Sequence, residues 1–256
     1  MKKSLIPPLS LKIDCSLVTF LTFLLAYFSG RLDAFLILYG ITFVHELTHA
    51  SAAFLFGVKT KNIQILPVGF CAVMEDFSFL PFWKQLVIYL SGPCMALPLF
   101  AFGKFLFVEE FISSTGYAQF CLINLSICLI NLFPIEPLDG GNIFHCVTRI
   151  FLPEKKCQKI SLLVSFLSLI LLSFFFVKNQ EYFIFTFLWL HWFYRLKVWK
   201  KQYRIYLLKR LQRKIALPEK VVTKPEIYHF KENYLWQDGD FLEEKDFIPT
   251  LLEKKK

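Results

Sequence analysis

Residues 35–57 form an apolar run long enough to cross a bilayer, yet its middle reads His45-Glu46-Leu47-Thr48-His49. A helix stacks residues four apart on one face. His45 and His49 can therefore grip one metal ion, with Glu46 beside it. The mechanical reading of H-E-x-x-H on a helix is a zinc hydrolase whose Glu is the general base. Two imidazoles and a carboxylate are costly at membrane depth and need a functional reason. The rest of the chain has to supply a third ligand, access for water and a substrate.

The chain has 256 residues, 55% of them hydrophobic and 18% aromatic. That composition, with several apolar runs near the roughly 20 residues a spanning helix needs, predicts an all-α polytopic membrane protein. Six transmembrane helices are expected, at about 13–28, 35–57, 85–108, 117–133, 160–177 and 182–194, with a tight turn at Lys178-Asn179-Gln180-Glu181. The stretch 62–79 does not read as a helix. Asn62-Ile63-Gln64-Ile65 alternates, and Pro67 and Gly69 interrupt, so a short strand pair or a re-entrant, interfacial loop is expected, with 62–65 as an edge on which a substrate could pair. The formal net charge is +9. Lys59, Lys61, Lys84, Arg149, Lys155, Lys156 and the basic cluster after Tyr194 fall on one side of the six spans, and the positive-inside rule places both termini in the cytosol. Seven Cys, an odd number without a C-x-x-C pair, read as small buried hydrophobes rather than a disulfide framework. Met1-Lys2-Lys3 precedes an apolar run, but no small-x-small site follows, so a cleaved signal peptide is not expected.

This topology locates the motif. His49 lies eight residues before Gly57, so roughly 12 Å below the cytosolic end of its helix at ~1.5 Å per residue. The fourth span ends in the same leaflet with Asn131-Leu132-Phe133-Pro134-Ile135-Glu136-Pro137-Leu138-Asp139-Gly140-Gly141. Pro134 and Pro137 cannot continue a regular helix, and irregular backbone at membrane depth is tolerated only where it is buried in protein or lines a wet cavity. Two stretches converge, one with His45, Glu46 and His49, the other with Asp139 on an unwound segment. The expected centre is zinc, one ion per chain, held by His45, His49 and Asp139, with the fourth position open. Asn131 is a candidate oxyanion donor or substrate-positioning amide.

The pair H-E-L-T-H and N-L-F-P-I-E-P-L-D-G-G resembles the site-2 protease family of intramembrane zinc metalloproteases, and the spacing is most like its sporulation members. The resemblance covers about residues 1–200. It implies His45, His49 and Asp139 as zinc ligands and Glu46 as the catalytic glutamate. It implies a membrane-associated protein substrate cut near the cytosolic leaflet, for the sporulation members a sigma-factor precursor. It also implies membrane-bound inhibitor or regulator proteins and residence in a bacterial cell membrane or the membrane around a forespore. Ser91-Gly92-Pro93 looks like the family's Gly-Pro turn, while Ala96 stands where an Asn is often found.

Two domains are expected: a membrane metalloprotease core over 1–200 and a cytosolic α/β tail over 201–256. The basic stretch Arg195 to Lys214, with Leu207, Leu208 and Leu211 interleaved, reads as an amphipathic helix on the inner membrane surface. Tyr234 to Leu242 reads as strand, Asp238-Gly239 turn and strand, followed by a short helix, like the closing part of a CBS motif. A dimerising or substrate-docking use of this tail is open, and no nucleic-acid partner is expected. His145 reads as an interfacial or helix-surface residue, with support of the metal centre as the rarer use, and His191 as part of an aromatic belt. The competing class is a non-enzymatic membrane scaffold that holds zinc structurally. Retention of Glu46, which does not ligate, argues against it.

Overall fold

The computed structural model describes residues 13–15, 17–67, 69–178, 182–212, 217–237 and 240–253. Residues 179–181 of the turn expected over 178–181, the turn at Asp238-Gly239, and the end of the basic stretch at Arg213 and Lys214 lie outside the described residues. The chain is mostly helical with two small sheets, and it divides into two compact units, Met1–Leu132 and Phe133–Lys256.

The first unit begins with strand β1 (Ile13–Cys15), followed by helices α1 (Leu17–Phe28) and α2 (Leu32–Leu55). The apolar run that reads as a span from Ile13 therefore opens as a strand, pairing in parallel with β2 (Thr60–Leu66) through Ile13↔Ile63. Helix α2 stops in a Schellman motif. Gly57 adopts φ 80, a left-handed conformation that favours glycine. Its N–H donates to the Phe54 carbonyl at 2.9 Å, and the Val58 N–H to the Ala53 carbonyl at 2.9 Å. Ala53 and Val58 then bury together with Ala52 and Ile88. Strand β3 (Gly69–Met74) returns antiparallel to β2. The sheet order is β1-β2-β3, so 62–65 belongs to the middle strand and is not an edge. The edges are β1 and β3, and β3 lies against α2. Phe70 stacks edge-on against Phe43, with ring centroids 5.0 Å apart.

Helices α3 (Phe82–Cys94) and α4 (Ala96–Val108) adjoin at Met95, which keeps φ −65 and ψ −18, so the expected third span is one helical stretch with a local irregularity. Ser91-Gly92-Pro93 lies inside α3 rather than in a turn. Helix α5 (Ser114–Leu132) packs back on this layer through Ile41, Leu99 and Ile127, and the buried Asn124 amide donates to the Ala96 carbonyl at 2.9 Å.

In the second unit, the Pro-rich segment 133–138 leads into α6 (Asp139–Phe151), followed by α7 (Glu154–Lys178) and α8 (Tyr182–Leu211). Helices α7 and α8 are antiparallel. The Trp192 indole donates to the Leu162 carbonyl at 3.0 Å, and the Trp189 indole to Ser173 Oγ at 3.2 Å. With no Gly or Pro between Tyr182 and Leu211, the sixth apolar run and the basic stretch form one helix. The tail supplies β4 (Glu219–Val222), β5 (Glu232–Gln237), β6 (Asp240–Leu242) and α9 (Glu244–Glu253), with β4 parallel and β6 antiparallel to β5. Leu207, Ile227, Leu235, Phe247 and Ile248 are buried in this unit. Leu207 therefore does not face a membrane surface. Arg210, also buried, clamps Glu244 with Nε and Nη2, each at 2.8 Å, and donates from Nη1 to the His229 carbonyl at 2.7 Å.

Among the described residues, three helical stretches are long and apolar enough to cross a membrane: Phe82–Val108, Ser114–Leu132 and Glu154–Phe174.

Candidate metal centre

Helix α2 carries His45 and His49 one turn apart, and both side chains are buried. His49 Nδ1 lies 2.7 Å from the Ile88 carbonyl of α3. A carbonyl only accepts, so Nδ1 carries the proton and Nε2 presents its lone pair. Such outer hydrogen bonds fix the tautomer and rotation of ligating histidines. Ser91 Oγ, 3.3 Å from the same Nδ1, donates to the same carbonyl at 2.7 Å. The Nε2 atoms of His45 and His49 are 3.1 Å apart. Two imidazoles on one tetrahedral zinc at ~2.0–2.1 Å would hold their nitrogens about 3.3 Å apart, so the pair is close to a ligating arrangement.

Gly92 completes this wall. A Cβ added there would lie 2.2 Å from His49 Nε2 and 2.5 Å from His45 Nε2. The absent methyl is the space in which the two nitrogens meet. This is a signal that the Ser-Gly-Pro sequence alone does not give, because it depends on α3 crossing α2 at that level.

Glu46 is half-buried on the neighbouring face, and its Oε2 accepts the Ala72 backbone N–H at 2.8 Å. The sheet edge thus orients the carboxylate. Gly69 lets the same strand approach α2, since a Cβ there would lie 2.6 Å from Thr42 Oγ1.

In the second unit Asp139 opens α6 rather than sitting on the unwound segment, which is 133–138. The following glycines have a steric reason. A Cβ on Gly141 would lie 2.5 Å from the Glu136 backbone nitrogen, so the Pro-rich segment folds directly onto α6. The first unit thus offers two imidazoles, His45 and His49, and the second a carboxylate, Asp139, at the start of α6. Two imidazoles and one carboxylate are a donor set of catalytic zinc sites. Asn131 is half-buried, and its amide donates to the Ile127 carbonyl one turn back in its own helix at 3.0 Å.

His145 is buried, not on a helix surface. Its Nδ1 lies 3.2 Å from Glu136 Oε1 and its Nε2 3.5 Å from Glu154 Oε1. Glu136 also accepts from Ser161 at 3.1 Å and pairs with Arg195, while its backbone N–H donates to Ser165 at 3.3 Å. Glu154 receives Arg149 through two bonds of 2.7 and 2.8 Å. This charged cluster anchors the segment that leads into Asp139. No local pattern announces it, because the partners of His145 lie nine residues away on either side.

Burial opposes the charge on Glu136, but the hydrogen bond from His145 and the nearby Arg195 outweigh it and hold the carboxyl at about 2. Burial and Arg149 likewise oppose charge on His145, yet hydrogen bonds to Glu136 and Glu154 raise its pKa above the ordinary 6.5. The contribution of Glu136 is complete above the ordinary carboxylate value of 4.5 and is lost as pH falls toward about 2. That of His145 is complete below 6.5 and is lost as pH rises through its raised value. Unfolding midpoints measured against pH should fall on the alkaline side, and His145→Gln should flatten that limb. An unchanged alkaline limb in His145→Gln would assign the fall to other groups.

The model of peptidase family M50 matches residues 33–119 and 107–172, together more than half of the chain and including both motifs. The chain is 31% identical over 150 residues to stage IV sporulation protein FB of Bacillus subtilis, covering 58% of this chain and 52% of that protein. It is 34% identical over 119 residues to a zinc metalloprotease of Methanocaldococcus jannaschii, covering 44% of this chain and 33% of the relative. The chain thus spans about half the length of the sporulation protein and a third of the archaeal one. The fold is similar to that of the site-2 protease from Methanocaldococcus jannaschii, with a TM-score of 0.56 at 22% identity over 75% of this chain and 92% of that one. With the H-E-x-x-H helix and the Pro-rich segment leading to Asp139 both inside the matched region, the chain belongs to peptidase family M50, the family of site-2 proteases.

Proposed function

We propose that this chain is an intramembrane zinc endopeptidase that hydrolyses a peptide bond of a membrane-associated protein near the cytosolic leaflet. The observation that carries the reading is the convergence of His45 Nε2 and His49 Nε2 to 3.1 Å, with Glu46 on the same helix. Asp139 is the third ligand in this reading. Six spans with both termini in the cytosol, a core over 1–200 and a tail over 201–256 complete it. The likeness to the sporulation protein makes a sporulation sigma-factor precursor the first substrate to test, and membrane-bound regulators and a homo-oligomer belong to the same expectation.

When bound, zinc acts as a Lewis acid and brings the pKa of its water near neutrality. The chain's residues do the rest. Glu46, oriented by the Ala72 N–H, takes the water proton and returns it to the leaving amine. His49, held by the Ile88 carbonyl, keeps its Nε2 aimed at the ion. In an oxyanion-stabilising role Asn131 would use the second N–H of its amide, since the other donates to the Ile127 carbonyl. A substrate helix hides its peptide bonds, so the cut segment must be extended. The edge strand β3, beside Glu46, is where such a segment would pair.

Co-expression of candidate pro-proteins with wild type and Glu46→Gln tests this reading. The variant should retain about one zinc per chain and lose cleavage by roughly 10²–10⁴-fold. Normal turnover by Glu46→Gln would remove Glu46 as the base. Zinc retention with no cleavage by wild type would favour the scaffold class.

A further inference from the structure

Helices α7 and α8 face each other with two matched stripes. On α7, Lys155, Lys159, Leu162, Leu163 and Phe166 recur at helical spacing, and on α8 Trp192, Leu196, Trp199 and Tyr203 do the same. Between them runs an open groove of about 310 Å³, walled by Leu162, Leu163, Phe166, Trp192, Leu196 and Trp199, with Lys159 at its margin. Lys159 also lines a second cleft, of about 190 Å³, with Lys155, Lys156 and Tyr203. The two spaces share Lys159: the first is an apolar trough, and the second carries three lysines and one carboxylate, Glu226, which pairs with Lys156. Trp199 lines the apolar groove, with Lys159 Nζ 5.7 Å and Lys200 Nζ 6.0 Å from its ring centroid.

We propose that this groove binds one anionic phospholipid, its acyl chain along the trough and its phosphate at Lys155, Lys159 and Lys200. The proposal rests on the reading of α7 as a membrane span. Lys156 is engaged by Glu226 at 2.9 Å, whereas Lys155, Lys159 and Lys200 are exposed. Leu163 and Leu196 leave apolar surface open along the trough. A soluble phosphate would satisfy the lysines and leave this surface bare. A zwitterionic lipid would fill the trough and leave the lysines without net compensation. Only an amphiphile with a long apolar body and a net negative head matches both parts. The order of residues agrees, since the lysines sit where α7 enters its apolar stretch Glu154–Phe174. Basic pockets between spanning helices are known acceptors of anionic headgroups.

The test uses the full chain in phosphatidylcholine vesicles containing a minor fraction of phosphatidylglycerol brominated on its acyl chains, because bromine quenches indole fluorescence on contact. Brominated phosphatidylglycerol should quench well beyond the same fraction of brominated phosphatidylcholine, and Trp199→Phe should remove much of the excess. Lys155→Gln, Lys159→Gln and Lys200→Gln should weaken the preference about fivefold per lysine. Lys59→Gln with Lys61→Gln, also basic, should leave it in place. Equal quenching by the two lipids, or a preference untouched by the three substitutions, overturns the proposal. Reversal by excess glycerol phosphate overturns it in favour of a soluble anion. Absence of quenching by either lipid instead overturns the membrane reading itself.

Discussion

Replacing Gly92 by Ala is expected to strip zinc from the protein while leaving its helices intact. The added methyl would stand 2.2 Å from His49 Nε2 and 2.5 Å from His45 Nε2, distances no carbon–nitrogen contact survives. The imidazoles have little room to retreat, since both are buried and His49 is tied through Nδ1 to Ile88. Moving α3 instead would pull Ile88 from its cluster with Ala52, Ala53 and Val58. Displaced ligand orientation costs about 10–100-fold in metal affinity even when only an outer hydrogen bond is lost, and here the ligand atoms themselves are blocked. Ala is the better helix former, so circular dichroism should be unchanged while zinc per chain and cleavage both fall below detection. Full zinc occupancy in Gly92→Ala would show that the histidines do not ligate through the Nε2 atoms that meet at this glycine.

The second large effect belongs to stability. Glu154→Ala should destabilise the protein by about 3–5 kcal/mol, because removing one partner of a buried ion pair strands the other. Glu154 is 0% exposed, and its loss leaves Arg149 without its two-bond acceptor and Gln158 without the oxygen it donates to at 2.9 Å. The combined change Arg149→Met with Glu154→Leu should recover much of the loss, since well-packed apolar groups can replace such a pair at little cost. Denaturant titration of the detergent-solubilised chain reads both. A single variant as stable as wild type would show that the pair contributes nothing net.

How far the sequence reaches differs from element to element, for physical reasons. The H-E-x-x-H helix, its stop at Gly57 and the strand pair over 60–74 were legible, because each has a local rule: four-residue spacing, a left-handed glycine and alternation. The strand and helix after Asn233 were legible on the same grounds. The strand at Ile13 was not, since a short apolar run continuing into a helix carries no period that separates the two. Nor was the irregularity at Met95. Pro93 marks trouble nearby, yet it stays inside α3 and the irregularity comes two residues later. Helix α8 shows the opposite error. A change from aromatic to basic composition at Arg195 alters the surroundings of a helix without ending it. His145 was misplaced because burial of a charged group depends on partners far along the chain, and Glu136 and Glu154 carry no periodic relation to it. For the candidate site, residue types and spacing pointed to His45, Glu46, His49 and Asp139, while the steric fit at Gly92 and the tether of Glu46 to Ala72 needed the crossing of elements.

The bond from His49 to the carbonyl of residue 88 has an evolutionary consequence. Many ligating histidines are oriented by a side-chain carboxylate, which one codon change can delete. Here the acceptor belongs to the main chain, so every residue at position 88 brings it along. Selection is thereby relieved of guarding a second polar side chain in an apolar environment. It must guard instead the placement of a whole helix, and drift at position 88 is confined to side chains that keep α3 at its distance from α2.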